Sequence, residues 1–299
     1  MQMLKIAKIE LRNNIRGYRF IGVVIVLTLI LLAGMSFFLT LTQMFMSLPE
    51  IAPRRVPKVA FRIINSLNSI IGMAVPIIAI IMGFDTISGK IEKGITKMIL
   101  AQPVYRDHLI LGSLLSGIIT LLIGIIPPVA LSLSIAVSTI GITPTIDDVL
   151  LLLGYLIITW LFSLSYYAIS VLISTISKNS TKSLMMSMIV WLIFIFILPM
   201  MATAVAMSIL GPPKFTVEKR RLPDGRVITI PRMDIEYMKK MSEITNLIRL
   251  LSPNAHFERC TSNLIANRPI DYTNIAVLVL LPIIALLISF IIFVKREVR

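Results

Sequence analysis

Apolar residues run through this chain in six long blocks, roughly Phe20–Leu48, Ile63–Phe84, Leu109–Val137, Val149–Ile176, Ser183–Leu210 and Tyr272–Val294. None of the six contains Asp, Glu, Lys or Arg. A helix rising ~1.5 Å per residue needs about 20 residues to cross ~30 Å of hydrocarbon, and each block reaches that length. Lipid offers no partner for backbone N–H and C=O groups, so the blocks must be helices; they lack the alternation of barrel strands. The pattern predicts an all-α polytopic membrane protein with six transmembrane helices.

Two polar stretches between and before the spans carry patterns of their own. Over residues 3–19, Leu4, Ala7, Leu11, Ile15 and Tyr18 fall on one side of a helix beside a stripe of Lys5, Lys8, Arg12, Arg16 and Arg19. This predicts an N-terminal amphipathic helix in the membrane interface, residues 1–19, apolar side in lipid and basic side toward phosphates. The alternative is a basic flank of the first span with no separate helix. Between the fifth and sixth spans, residues 211–271 predict a small α+β extracytoplasmic domain. Phe215–Leu222 and Arg226–Ile230 flank Pro223-Asp224-Gly225, a hairpin signature. A helix follows from about Asp234, its apolar face being Tyr237, Met241, Ile244, Ile248 and Leu251, expected to pack on the hairpin or on a second copy of the chain. Ser252-Pro253 stops it and can cap another. The remaining divisions are 20–210, holding spans one to five, and 272–299, holding the sixth span and a basic tail.

Charge sets the orientation. Of 29 Lys and Arg residues, 14 flank one side of the predicted spans: five before the first span, four in the second connection, two in the fourth and three after the last. The first connection holds four and the third none. The positive-inside rule then places both termini in the cytoplasm of a plasma-membrane protein and the 211–271 segment outside. The net charge of +14 is explained by lipid headgroups and topology, so no nucleic-acid partner is expected. The single cysteine, Cys260, has no internal partner, and no Cys/His metal spacing exists.

Chemistry is absent from the spans themselves. Proton- and ion-coupled carriers usually use ionisable groups near the midplane, and these spans hold none, although sites built from carbonyls and hydroxyls stay open. No His-Glu metal pair and no Gly-x-Ser-x-Gly elbow is present. Gly83…Gly89-Lys90 is spaced one residue too long for a phosphate loop, and Ile91 stands where Ser or Thr would hold magnesium. The chain is not read as an enzyme and is expected to hold no cofactor or metal.

The informative element is the second connection, Ser88 to Arg106, SGKIEKGITKMILAQPVYR. Ile91, Ile95, Met98, Ile99 and Gln102 recur at helical spacing with Lys90, Lys93 and Lys97 pointing away, so a surface helix is expected over about 88–104. By itself such a helix is more often a membrane-surface connector than a coupling device.

The run Phe84-Asp85-x-Ile87-Ser88-Gly89-x-Ile91-Glu92-Lys93-Gly94-x-x-Lys97-x-x-Leu100-x-Gln102-Pro103-Val104-x-Arg106, followed by Ile110-Leu111-Gly112, resembles the signature of permease subunits of ATP-binding-cassette (ABC) type-2 exporters. Those carry Ser-Gly-Glu-Ile-Glu-(Arg/Lys)-Gly-Thr, a Leu-rich stretch, a Pro-Val-Ser-Arg and Leu-Gly-Lys. This chain departs from them at Lys90, where the family has an acid, at Ile95 for Thr, at Tyr105 for Ser and at Ser113 for Lys. Ser252-Pro253-x-x-His256-Phe257 is similar to a patch in one branch of the family. The resemblance implies that the connection is a coupling helix seated on a separate cytoplasmic ATPase. Ile91, Ile95 and Met98 would form its buried face and Glu92, Lys93 and Lys97 its polar contacts. From the residues themselves, Asp85, Gly89 and Gly94 let the chain turn out of the second span and Gln102-Pro103 ends the helix. The resemblance also implies two copies of an ABC ATPase subunit carrying ATP and magnesium, and a second permease chain, most simply as a homodimer. Asn65, Asn68, Ser69 and Thr203 would line the exit path, the alternative being polar residues that glue helices together. Two other readings remain at this point, a membrane-anchored scaffold or sensor with an external binding domain, and a secondary transporter.

Overall fold

The computed structural model describes residues 2–46, 59–94, 106–140, 145–213, 215–221, 227–266, 268–269 and 271–295. The chain divides into two compact units, residues 1–191 with 256–299, and residues 192–255.

The first unit is helical. It comprises α1 (Gln2–Arg16), α2 (Tyr18–Met46), α3 (Val59–Gly83), α4 (Ser88–Glu92), α5 (Arg106–Ile140), α6 (Ile146–Ile176), the start of α7 (Ser180–Leu192), α10 (Pro253–Ile265) from His256 on, and α11 (Tyr272–Lys295). Among the described residues of the whole chain, six helical stretches are long and apolar enough to cross a membrane. Pro76, the Pro127-Pro128 pair and Pro282 lie inside α3, α5 and α11, where the helices carry them as membrane helices commonly do.

Helix α6 is the hub, packing against α3, α4, α5 and α11. It starts at a capping box that the apolar pattern does not reveal. Thr145 accepts from the Asp148 amide while the Asp148 carboxylate accepts from the Thr145 amide, so two first-turn donors are satisfied reciprocally. Its buried face alternates large rings with small hydroxyl residues: Tyr155, Thr159, Phe162, Ser163, Tyr166, Tyr167, Ser170, Ser174 and Thr175. Ser170 Oγ lies 3.2 Å from the Ile80 carbonyl of α3, and Thr175 Oγ1 lies 2.6 Å from Ser289 Oγ of α11. A Cβ at Gly83 would stand 2.9 Å from Ser170 Cβ, so glycine is what lets α3 come this close. Between helices in lipid, such close approach and hydroxyl bonding replace the hydrophobic effect as the cohesive force.

Helix α1 differs from its expected pose. The face against α5 includes Ile6, Ala7, Glu10 and Asn14, and a Cβ at Gly112 of α5 would stand 2.8 Å from Ile6 Cγ2. Leu4 and Tyr18 are exposed, whereas Ala7, assigned to the same lipid side, is buried. Charged Glu10 lies on the packed side because it has a partner there. From His256 on, α10 sits on α6 and α11: Phe257 stacks on Phe162 with centroids 4.3 Å apart, and His256 Nδ1 shares a 2.7 Å hydrogen bond with Asn274 Oδ1.

The second unit holds a π-helical turn (Ile193–Ile197), α8 (Leu198–Leu210), two antiparallel strands β1 (Phe215–Arg221) and β2 (Val227–Met233), and α9 (Ile235–Arg249). The π turn ends at Ile197, two residues before Pro199, and its wider winding makes room for the proline ring against the preceding turn. In the strands Phe215 pairs with Met233 and Arg221 with Val227; the expected turn at Pro223-Asp224-Gly225 lies outside the described residues. Asp234 caps α9 by accepting from the Glu236 amide at 2.9 Å. Helix α9 packs along α8, with Tyr237 buried and its hydroxyl donating to the Gly211 carbonyl at 2.8 Å, and Leu251 stays exposed. The expected apolar face thus finds its partner in the preceding helix, which already presents an apolar surface.

Cys260 is buried, and burial, with the Asp271 carboxylate nearby, pushes its thiol up to about 11. At neutral pH this leaves on the order of a hundredfold less thiolate than an ordinary cysteine has. The native chain should therefore react with N-ethylmaleimide slowly, and quickly once denatured; rapid native labelling, read by mass spectrometry, would contradict this packing.

Candidate functional site

The second connection is where the sequence concentrates its candidate residues, and the structure describes its first third. Helix α4 begins at Ser88 and ends at Glu92; Lys93 is its C-cap and Gly94 has φ of 68°. That left-handed conformation suits glycine and ends the helix. The single helix expected over 88–104 is therefore interrupted at Gly94, because a glycine that can leave the helical region outweighs the apolar periodicity across it. Ile91, Glu92, Lys93 and Gly94 stand together here; Ile95, Lys97, Met98, Gln102 and Pro103 lie outside the described residues.

Short as it is, α4 is bonded to four other helices. Lys90 Nζ lies 2.5 Å from Glu10 Oε1 of α1 and 2.5 Å from Ser113 Oγ of α5, and Ser113 Oγ is 3.0 Å from the same Glu10 oxygen. The periodicity predicts Lys90 pointing away with Lys93; instead it is drawn inward, and its side chain, like that of Glu10, is one-fifth exposed. On the opposite side the Ile87 and Ser88 amides donate to Ser174 Oγ of α6 at 3.2 and 2.9 Å. The orphan first-turn amides of α4 thus find an acceptor on another helix, since Ile87 supplies no side-chain cap. Glu92 Oε2 accepts from the Ser180 amide, the first of α7, at 3.0 Å.

A second ion pair closes the corner one turn earlier. Arg19, at the start of α2, bonds Asp85 in the α3–α4 turn and places its guanidinium carbon 4.4 Å from the centre of the Phe84 ring. Between these pairs lies a cavity of about 580 Å³ lined by Glu10, Asn14, Asp85, Lys90, Ser113 and Tyr167, among others. The tip of the Tyr167 ring passes over Gly117 so closely that a Cβ there would fall 1.8 Å from its hydroxyl. Lys90 on the cavity wall and Arg19 beside it each face an acid, so this corner is built for joining elements.

Of the expected pathway residues, Asn68 and Ser69 lie on α3 in the first unit and Thr203 on α8 in the second. Ser69 is exposed in the groove between α2 and α3, and Asn68 is half-buried on α3. Thr203 belongs to the other unit and bonds the Pro199 carbonyl of its own helix at 2.9 Å. The side chain of Asn65 lies outside the described residues. Sequence reading missed Glu10, Ser113, Ser174 and Ser180. The signals were faint: an acid inside a basic stripe, and hydroxyls in apolar runs.

The family model for the ABC-2 family transporter protein matches residues 4–298, almost the whole chain. The chain belongs to the ABC-2 transporter family. No curated protein matches it. As an ABC-2 family member it is a multi-pass membrane component of an ABC transporter, and membership implies an ABC ATPase subunit as partner.

Exchanging the Glu10–Lys90 charges gives a direct test of the corner. Glu10→Lys or Lys90→Glu alone strands a half-buried charge and should lower stability by roughly 1–3 kcal/mol. The double exchange should recover most of the loss, read as melting temperature in detergent. Ser174→Ala, which leaves the Ile87 and Ser88 amides without their acceptor, should cost about 1–3 kcal/mol, whereas Ser36→Ala on the exposed side of α2 should stay within about 0.5 kcal/mol.

Proposed function

We propose that this chain is the permease subunit of an ABC exporter, driven by ATP hydrolysis on a separate cytoplasmic ATPase that seats on the second connection. The observation that carries this is the bonding of α4 to α1, α5, α6 and α7 at once. An element meant only to connect two spans needs no such anchorage. One that receives force does, because displacement of a bonded helix is passed to the helices it is bonded to.

In this reading both termini and α4 face the cytoplasm, α1 lies along the inner headgroups, and residues 211–271 lie outside. Two permease chains pair as a homodimer and two ATPases close beneath them around ATP and magnesium. Ile91, Lys93, Gly94 and the segment that includes Ile95, Lys97, Met98, Gln102 and Pro103 meet the ATPase, apolar side chains in its groove and lysines at the rim. ATP-driven closure moves the connection, and the spans repack between inward- and outward-facing arrangements. Asn65, Asn68, Ser69 and Thr203 are retained as pathway candidates. This chain contributes the path and no catalytic residue.

Purification through a tag on this chain, co-expressed with its ABC ATPase subunit, should give a complex of two copies of each by native mass. Lys93→Glu with Gly94→Pro should abolish co-purification while the melting temperature of the chain alone is kept, since proline cannot adopt the φ that Gly94 has. Retention of the ATPase at wild-type ratio, or transport by the chain alone, would refute the reading. For sidedness, Lys239→Cys in a Cys260→Ser background should react with a membrane-impermeant maleimide on intact cells; reaction only after lysis would reverse the orientation.

A further inference from the structure

The family signature groups Glu92 with residues that would contact the ATPase, yet its carboxylate is engaged within the chain. Helix α7 begins at Ser180, and the first amides of a helix have no partner inside it. Asn179 Oδ1 accepts from the Thr181 amide at 2.7 Å, the ordinary local cap. The Ser180 amide is taken by Glu92 Oε2, from 88 positions earlier in the chain. A cap supplied from so far away does what no local cap does. It ties two elements together.

The approach of the two elements is built into the backbone as well. Gly89 lies on α4, and a Cβ there would stand 3.4 Å from Ser180 Oγ and 3.1 Å from Asp85 Cβ. The carboxylate faces the positive end of α7, which favours it over a neutral acceptor. Beyond this start, α7 is bonded to the hub, Ser187 Oγ lying 3.2 Å from Ser170 Oγ of α6.

We infer that Glu92 is a positioning residue, the link that carries movement of the second connection into the fifth span by capping α7 from outside. This rests on the proposed permease function and deepens it: the ATPase meets the connection through Ile91, Lys93 and the residues beyond Gly94, and Glu92 is the inward end of the same lever. Lys90 and Ser88 hold the lever to α1, α5 and α6; Glu92 selects α7.

The test has two arms, chosen so that this inference and the permease function fail separately. In the full chain alone, in nanodiscs, hydrogen exchange of the Ser180 amide should quicken about tenfold in Glu92→Ala. Glu92→Gln, which keeps a carbonyl acceptor, should change it much less. Unchanged exchange in Glu92→Ala overturns the bond itself. In the complex with the ATPase, Glu92→Ala should keep wild-type stoichiometry while the nucleotide-dependent change in α7 exchange falls about fivefold or more. Ser180→Pro offers the same cut from the other side, since proline is at home in the first position of a helix and lacks the N–H. It should lose the response equally, and the double variant should lose no more than either. Loss of the ATPase from the Glu92→Ala complex, with α7 unaffected, would make Glu92 an ATPase contact and overturn the inference. If the wild-type chain recruits no ATPase, the permease function falls and the transmission role with it, while the first arm still reports whether the cap exists.

Discussion

The cohesion of the first unit depends on how closely helices can approach α6 in a solvent that does not drive them together. Lipid tails are as apolar as leucine, so helix association there relies on dispersion at short range and on hydrogen bonds between helices. Helix α6 supplies both. Its serines and threonines reach the Ile80 carbonyl, the α4 amides and Ser289, and Gly83 and Gly117 on its neighbours leave room for its side chains. Replacing these small residues by leucines would raise the hydropathy of the spans and weaken the bundle. Mean hydropathy therefore measures insertion, and the hydroxyl pattern measures assembly.

Electrostatics takes over at the end of the bundle that carries α1 and α4. Exposed ion pairs contribute little, and buried ones must offset desolvation. The Arg19–Asp85 and Lys90–Glu10 pairs lie between these limits, a fifth to about a third exposed. Their worth is geometric. Each joins elements far apart in sequence, and the loss of either partner leaves a charge where water only partly reaches. Backbone amides add to this, since Ser174 and Glu92 accept from the starts of α4 and α7 respectively. A helix start leaves donors unsatisfied, and here other helices supply the acceptors.

Much of this was legible in the sequence. Six uncharged blocks became six candidate spans because a 20-residue run without charge has few other fates. Asp234 and Ser252-Pro253 stand at the starts of α9 and α10 because capping chemistry is local. Gly94 is legible as a turn, but not as the end of the helix counted over 88–104, since period counting runs across a glycine and φ is not in the pattern. The packed side of α1 was misplaced for a related reason. Periodicity finds the apolar stripe of a helix, but the side that packs is decided by partners, and Glu10 gains its place through a lysine 80 positions away. The same holds for Glu92 and Ser180. Long-range polar bonds leave no period in either participating segment.

The departures of this chain from the family signature are also clearer in three dimensions. Lys90 in place of an acid and Ser113 in place of lysine read as two separate, mild changes along the sequence. In the structure the two side chains touch, 2.5 Å apart. A lysine at both positions would set two cations against each other, so the cation at 90 requires that position 113 be neutral. The acid absent at 90 is supplied by Glu10 from α1, which reaches both Lys90 and Ser113. In this chain the cation of the contact stands on α4 and its anion comes from a third helix. Position 10 lies outside the signature, which is why neither departure could be interpreted until the fold brought α1 to it.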